Sequence, residues 1–195
     1  MQLPRLYLAW PSPAIFAAGD AELDLAGDLL ANGRTSRLYR RLIHDRRVAT
    51  EVAASQASRY LGSYFQVVAT AAPGTSLATL ETAIGEEIAR LAAEGPDEAE
   101  MARGRAQAET AFVYRVQSLG GFGGVADQLN SYYYHRREPD WFDSDLARYT
   151  TASRQGIREA AATWLDPGRA AALSVVPFGA RDVALPDSVQ AASDL

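Results

Sequence analysis

The stretch Asn32-Gly33-Arg34-Thr35-Ser36-Arg37-Leu38-Tyr39, continued by Leu42 and then Val48-Ala49-Thr50-Glu51-Val52, changes its hydrophobic period part-way along. Asn32-Gly33 ends one helix, because a glycine past the last turn takes the left-handed backbone that satisfies orphan carbonyls. Thr35 or Ser36 caps a second helix that runs to about Arg46 and buries Leu38, Leu42 and Tyr39. From Ala49 the spacing is that of a strand. A helix pair feeding a strand within so short a stretch fixes the layout of what flanks it.

Upstream, Leu6, Leu8 and Trp10 alternate with Tyr7 and Ala9, a period-2 strand that ends at Pro11 and Pro13. Gly19-Asp20 opens the first helix, with Asp20 as its N-cap and Leu23, Ala26 and Leu30 along one side. Downstream, strands over residues 49–58 and 63–71 join near Leu61-Gly62, and Pro73-Gly74 ends the pair. Leu77, Leu80, Ile84, Ile88 and Leu91 then recur at steps of three and four, with Ser76 as cap and Glu81, Glu86, Glu87 and Arg90 off the apolar stripe. Gly95 closes that helix. Pro96 starts the next, with Asp97, Glu98 and Glu100 in its first turn and Phe112 and Val116 on its apolar side out to about Ser118. Shorter helices cover residues 122–134, 139–149 and 153–165, and Asp166-Pro167-Gly168 turns the chain into a last strand over 170–176. Helices grouped between strands describe one α+β domain over residues 1–180, with helices on one face of a sheet and a linker-like tail over 181–195.

Bulk properties narrow the function classes. The 195 residues are 48% hydrophobic and 22% charged, with a net charge of −5. A core of ordinary size is available, since a chain of this length buries roughly 70% of its unfolded surface. Both signs of charge are interspersed, without the basic face that nucleic-acid binding needs. The basic residues within 34–47 read as the cationic end of a helix. The absence of cysteine excludes disulfides, thiolate zinc sites and thiol nucleophiles. No apolar run reaches the ~18 residues that span a bilayer. Met1-Gln2 leads straight into strand-like sequence and reads as a start residue added to a segment of a longer chain.

Catalytic patterns are missing. The two histidines, His44 and His135, have no histidine partner at helical spacing, whereas a zinc site needs three or four converging ligands. His44 is expected as a solvated helix-end residue and His135 as a surface or interface residue. No G-x-S-x-G elbow occurs, and the acidic residues at 97–100 belong to a helix start. Gly120-Gly121-Phe122-Gly123-Gly124 follows a helix rather than a strand, so it reads as a helix-to-helix connection and not a dinucleotide loop. The rings of Tyr132, Tyr133, Tyr134, Trp141 and Phe142 exceed what one helix face buries, so core packing is the first expectation for any single ring and an interface the alternative for some of them. No catalytic, cofactor-binding or metal-binding residue is assigned.

The stretch over residues 32–52 resembles the second domain of a half-molecule in the pitrilysin family of zinc metallopeptidases, to which insulin-degrading enzyme and mitochondrial processing peptidase belong. Thr70-Ala71-Ala72-Pro73-Gly74, Gly95-Pro96-Asp97-Glu98 and Ser174-Val175-Val176-Pro177 fit the same pattern, so the resemblance spans nearly the whole chain. It implies a mixed, mostly antiparallel sheet with several helices on one face. It further implies a zinc-free domain beside a zinc-bearing domain of the same or a partner chain, shaping a chamber for unfolded peptide. Zinc would then sit in that neighbour and not here. Catalytic relatives also supply an Arg and a Tyr from a zinc-free domain, in the motif Leu-Arg-Glu-x-x-Gly-Leu-Ala-Tyr. The matching residues here are Leu42-Ile43-His44-Asp45-Arg46-Arg47-Val48-Ala49-Thr50, with Ile43 in the Arg place and Thr50 in the Tyr place; a shifted alignment would instead recruit Arg41, Arg46 or Arg47. The leading expectation is a non-catalytic domain of such a peptidase. The alternatives are a purely structural assembly subunit of the same fold and, third, a free-standing enzyme. The compartment stays open: family members of the long fused type are often exported, and a cytoplasmic parent is compatible too.

Overall fold

The computed structural model describes residues 3–191. Four strands, β1 (Arg5–Ser12), β2 (Ala49–Ala57), β3 (Ser63–Ala71) and β4 (Ala171–Val175), form one sheet in the order β2-β3-β1-β4. All three pairings are antiparallel. Six α-helices are described: α1 (Asp20–Ala31), α2 (Leu77–Glu94), α3 (Glu98–Val116), α4 (Val125–Arg136), α5 (Phe142–Thr150) and α6 (Arg154–Trp164). The α+β layout read from the sequence is the one observed.

Alternation decides which face is buried. Leu6, Leu8 and Trp10 of β1 stand opposite Ala69, Val67 and Phe65 of β3, and these six side chains are almost fully buried. Against them pack Leu23, Leu29 and Leu30 of α1, Leu80 and Ile84 of α2, and Ile157 of α6. Helix α1 crosses β2 so closely that a Cβ on Gly27 would meet the Ala54 carbonyl oxygen at 3.3 Å, so any larger residue would have to push the β2 backbone aside by a few tenths of an ångström. Helix starts are capped as their sequence suggests. Ser153 accepts from Gly156 N–H at 2.9 Å, and Asp97 and Glu100 form a reciprocal capping box at 2.8 and 2.9 Å.

Several boundaries differ from the sequence reading, each for a physical reason. Strand β1 runs through Pro11 to Ser12; β4 covers β1 only from Arg5 to Ala9, and on a free edge a proline removes no ladder bond. Asp20 is not the N-cap. Gly19 occupies that place, and Asp20 is drawn inward as a hydrogen-bond acceptor. The second helix, residues 37–45, opens into a π-helix over Tyr39–Asp45, in which the Arg46 N–H reaches the Arg41 carbonyl at 3.1 Å. Helix α4 begins at Val125 rather than 122, leaving Phe122 in the glycine-rich connection, fully exposed. Val116 is exposed as well, because α3 outruns the core after Phe112. Residues after β4 double back: Leu185 packs on the core and its N–H donates to Ser174 Oγ at 3.2 Å. The last residues of the expected tail, 192–195, and the initial Met1-Gln2 lie outside the described residues.

Candidate functional site

Residues 42–50 run from the π-helix into β2. Leu42 is fully buried, and Ile43 packs half-buried against the core. Arg47 then adopts φ 54°, in the left-handed region, and the chain reverses into β2. Glycine is the residue suited to that conformation, and the motif has glycine at that place. This backbone agrees with the register in which Ile43 and Thr50 fall where the motif has Arg and Tyr. Thr50 is the extra residue of a β-bulge between Ala49 and Glu51, and its hydroxyl donates back to the Thr70 carbonyl at 3.4 Å. Replacing Arg47 by Gly is expected to raise stability by about 0.5 kcal/mol, because relief of the left-handed backbone exceeds the added unfolded-state freedom. Arg47→Val is expected to lower it by about 1 kcal/mol or more. Urea denaturation of the two variants checks this opposite pair of signs.

Within the basic segment Arg34, Arg40, Arg46 and Arg47 are exposed, and two other arginines are drawn into ion pairs. Arg37 is buried and forks onto Glu100, with Nε and Nη2 donating to the two carboxylate oxygens at 2.7 Å each, while Nη2 also donates to the Gly95 carbonyl at 2.9 Å. Burial works against ionisation of Glu100, yet the hydrogen bonds from Arg37 and from the Asp97 N–H hold its carboxyl below the usual range. Arg41 joins Glu86 and donates to Glu87 at 2.9 Å, and Arg90 meets the other oxygen of Glu87 at 2.8 Å. Glu87, expected on the solvent side of α2, is buried by these partners. The shared cleft, about 430 Å³, is lined by both signs of charge and links the π-helix to α2 and α3.

A second polar network ties α5 to α1. Asp20 accepts from the Phe16 N–H at 2.8 Å, Ser58 Oγ at 2.6 Å and Arg148 Nη2 at 2.8 Å. Arg148 also reaches Asp145 at 2.8 Å, and the Tyr132 hydroxyl donates to Asp145 at 2.8 Å. Nearby, Tyr149 Oη donates to Asp24 at 2.7 Å. Burial pushes the Asp24 carboxyl up to about 7, with the Tyr149 hydrogen bond pulling the other way. Burial and the adjacent Asp24 keep the Tyr149 phenol protonated above its ordinary range.

The histidines stay apart. His44 is exposed and contacts Asp45 at 2.8 Å; His135 sits edge-on to Phe16 and Tyr134 and beside Tyr60. Among the described residues no group of three or more His, Asp or Glu side chains converges as a metal site. Tyr132 and Trp141 of the aromatic cluster are buried, whereas Tyr133 and Tyr134 are more than half exposed. The glycine-rich segment is a helix-to-helix connection, and a Cβ on Gly124 would lie 2.7 Å from the carbonyl oxygens of Ser118 and Gly120.

The remaining broad surface is the sheet face turned away from the helices. Its central row, read across the strands, is Ala53, Val68, Tyr7 and Leu173. Leu173 is 55% exposed. Arg5 and Glu51 lie in the next row and pair with each other at 3.2 Å, with Arg5 Nε also donating to Thr70 Oγ1 at 3.0 Å.

A model of the peptidase M16 inactive domain matches residues 1–108, more than half of the chain. The chain belongs to the peptidase M16 inactive-domain family. Solved structures of the same fold include the inactive peptidase domain of a candidate zinc protease from Bordetella parapertussis, at TM-score 0.81 and 18% identity, covering 91% of this chain and 92% of that one. A protease from Helicobacter pylori matches at TM-score 0.80 and 16% identity, over 91% of this chain but only 42% of its own. An M16-like peptidase from Alicyclobacillus acidocaldarius matches at TM-score 0.72 and 21% identity, over 91% and 41%. The chain thus spans less than half of those two longer proteins. No curated protein matches it. No helix among the described residues is long and apolar enough to cross a membrane.

Within this M16 inactive domain the family match ends at Ala108, one turn before α3 leaves the core. The Arg37–Glu100 pair lies inside the matched part; the Arg148 network reaches beyond it. Sequence reasoning missed both networks, although the acidic residues Glu86, Glu87 and Glu100 were a legible counterpart to the basic run.

The M16 inactive domain should also show a pH signature at Asp24. Its folded carboxyl keeps a proton up to about pH 7, while the unfolded carboxyl loses it near 3.8. The folded state binds the extra proton between these values, so stability falls as pH rises from about 4 to about 7 and then levels. The side chain is partly open to solvent, so the expected loss is about 1–2 kcal/mol in total. Denaturation midpoints across that window check it. Asp24→Asn should flatten the slope, and an unchanged slope would refute the assignment.

Proposed function

We propose that the chain is the zinc-free, non-catalytic domain of an M16-type zinc metallopeptidase, that it walls part of the chamber receiving unfolded peptide, and that it supports the zinc-bearing domain of the same or a partner chain. The observation that supports this reading is at Arg47, whose left-handed backbone suits the motif's glycine and agrees with the register that pairs Ile43 and Thr50 with the motif's oxyanion-stabilising Arg and Tyr. Ile donates no hydrogen bond, and the Thr50 hydroxyl is short and turned onto the Thr70 carbonyl, so neither supplies a pre-placed donor to a developing oxyanion. No residue of this chain is assigned to catalysis, cofactor binding or zinc. The sheet face opposite the helices supplies the wall, and zinc and its activated water belong to the neighbouring domain.

Metal analysis of the purified chain should find no stoichiometric zinc, and His44→Ala should change nothing. Stoichiometric zinc abolished by His44→Ala would overturn the reading. Added to the zinc-bearing domain of its parent, the chain should raise peptide hydrolysis, and Ile43→Ala should leave that increase intact. Tight association without any effect on hydrolysis would instead favour the assembly-subunit alternative.

A further inference from the structure

We infer that residues 118–136, the glycine-rich connection together with α4, form a strap that opens as one body while the sheet and the other helices stay folded, and that Tyr132 is its latch. All of residues 113–123 except none are exposed, and so are residues 136–140, so the chain enters and leaves the segment through solvent. Of α4 itself Tyr132 alone is buried. Inside the segment the bonds are dense. The Ser118 carbonyl accepts from the Val125 N–H at 2.9 Å, the Leu119 carbonyl from the Ala126 N–H at 3.2 Å, and Asp127 Oδ2 from the Gly123 N–H at 3.0 Å. The connection is thus built onto the start of α4 and moves with it.

Across the boundary the bonds are few. Among the described residues, the one side-chain hydrogen bond joining the segment to the rest of the domain runs from Tyr132 Oη to Asp145, at 2.8 Å. The aromatic contacts all come from its last turn and a half. Ring centroids of Tyr132 lie 5.9 Å from Phe16 and 5.7 Å from Trp141, and those of His135 lie 5.8 Å from Phe16 and 5.5 Å from Tyr60. The Arg136 guanidinium covers Trp141 at 4.6 Å. An exposed segment with so few ties to its neighbours is one that opens well below the free energy of global unfolding. Opening strands no buried charge, because Asp145 retains Arg148 at 2.8 Å and the phenol passes to water. It bares the Tyr132 side of Phe16 and Trp141, rings that also line a cleft of about 410 Å³ with Ala21 and Ser153. The strap therefore sets how much of that cleft's aromatic wall meets solvent.

Hydrogen exchange of the full chain, read by NMR in urea well below the unfolding midpoint, tests this. Amides of residues 129–136 should exchange together, at least about 100-fold faster than those of β1, β3 and α2, and with a shallower urea dependence. Tyr132→Phe keeps the ring and removes only the bond to Asp145, so exchange across 129–136 should quicken about tenfold. Ile84→Val, at a fully buried position of α2, should quicken the core amides several-fold. It should leave 129–136 unchanged, because Ile84 stays packed when the strap opens. Three results would overturn the strap. Residues 129–136 could exchange at the core rate and follow Ile84→Val, which means opening only with global unfolding. Rates could instead be graded along α4, with the last turn as protected as α2, which is fraying. No response to Tyr132→Phe would remove the latch.

Discussion

Replacing Arg37 by Met is expected to cost about 3–5 kcal/mol, the range for removing one member of a buried ion pair. Glu100 would keep its place in the capping box of α3 but lose both guanidinium hydrogen bonds, and the Gly95 carbonyl at the end of α2 would lose its donor. One side chain thus joins the start of the π-helix, the end of α2 and the start of α3. Arg37→Lys should recover only part of the loss, because a single ammonium cannot fork onto a carboxylate and still reach Gly95. The double variant Arg37→Met/Glu100→Leu should cost less than Arg37→Met alone, since no uncompensated carboxylate remains. Chemical denaturation of the set decides the matter. An Arg37→Met variant within about 0.5 kcal/mol of the parent would show that the pair contributes nothing beyond what a solvated contact gives.

The second large effect is expected at Arg148→Met, about 3 kcal/mol or more. Asp20 and Asp145 are buried at 2% and 3% exposure and share this one cation. Without it Asp20 keeps Ser58 and the Phe16 N–H, and Asp145 keeps Tyr132, but two carboxylates face each other uncompensated. The double variant Arg148→Met/Asp145→Asn should cost less than Arg148→Met alone, because one of the two uncompensated carboxylates is gone. A loss that the second substitution leaves unchanged would point instead to the rings of Phe16 and Trp141, over which the guanidinium lies at 5.3 and 5.9 Å.

Elements whose burial follows a simple period were legible in the sequence. The alternation of Leu6, Leu8 and Trp10, and the steps from Leu77 to Leu91, report directly on which atoms leave water, and the structure buries those residues. Errors arose where a long-range partner overrides a local preference. Asp20 next to Gly19 has every local mark of an N-cap, yet Arg148 and Ser58, distant in sequence, draw its carboxylate inward. Glu87 looked solvent-facing because its period is polar, and its cations come from the π-helix and the next turn. The π-helix had no local signal at all. The glycine-rich connection misled the start of α4, since Phe122 has strong apolar character but no neighbour to bury against. At the motif the sequence was more informative than its composition suggests: a non-glycine residue in the left-handed region at Arg47 is what an alignment by Leu42 and Val48 demands.

The sheet order has a consequence for synthesis. Strand β1 lies between β3 and β4, with Leu6 paired to Ala69 on one side and to Ser174 on the other. A nascent chain leaving the ribosome can close the first pairing while α3 is still being made, but the second must wait until α3 to α6 and then β4 have emerged. Closing so large a loop carries an entropic cost and slows the search for the right contact. Until then one edge of β1, with Leu8 and Trp10 beside it, stays open to mispairing. A stall or cleavage after α6 would therefore leave three strands and all six described α-helices with β1 still an edge, which a folding chaperone would hold longest.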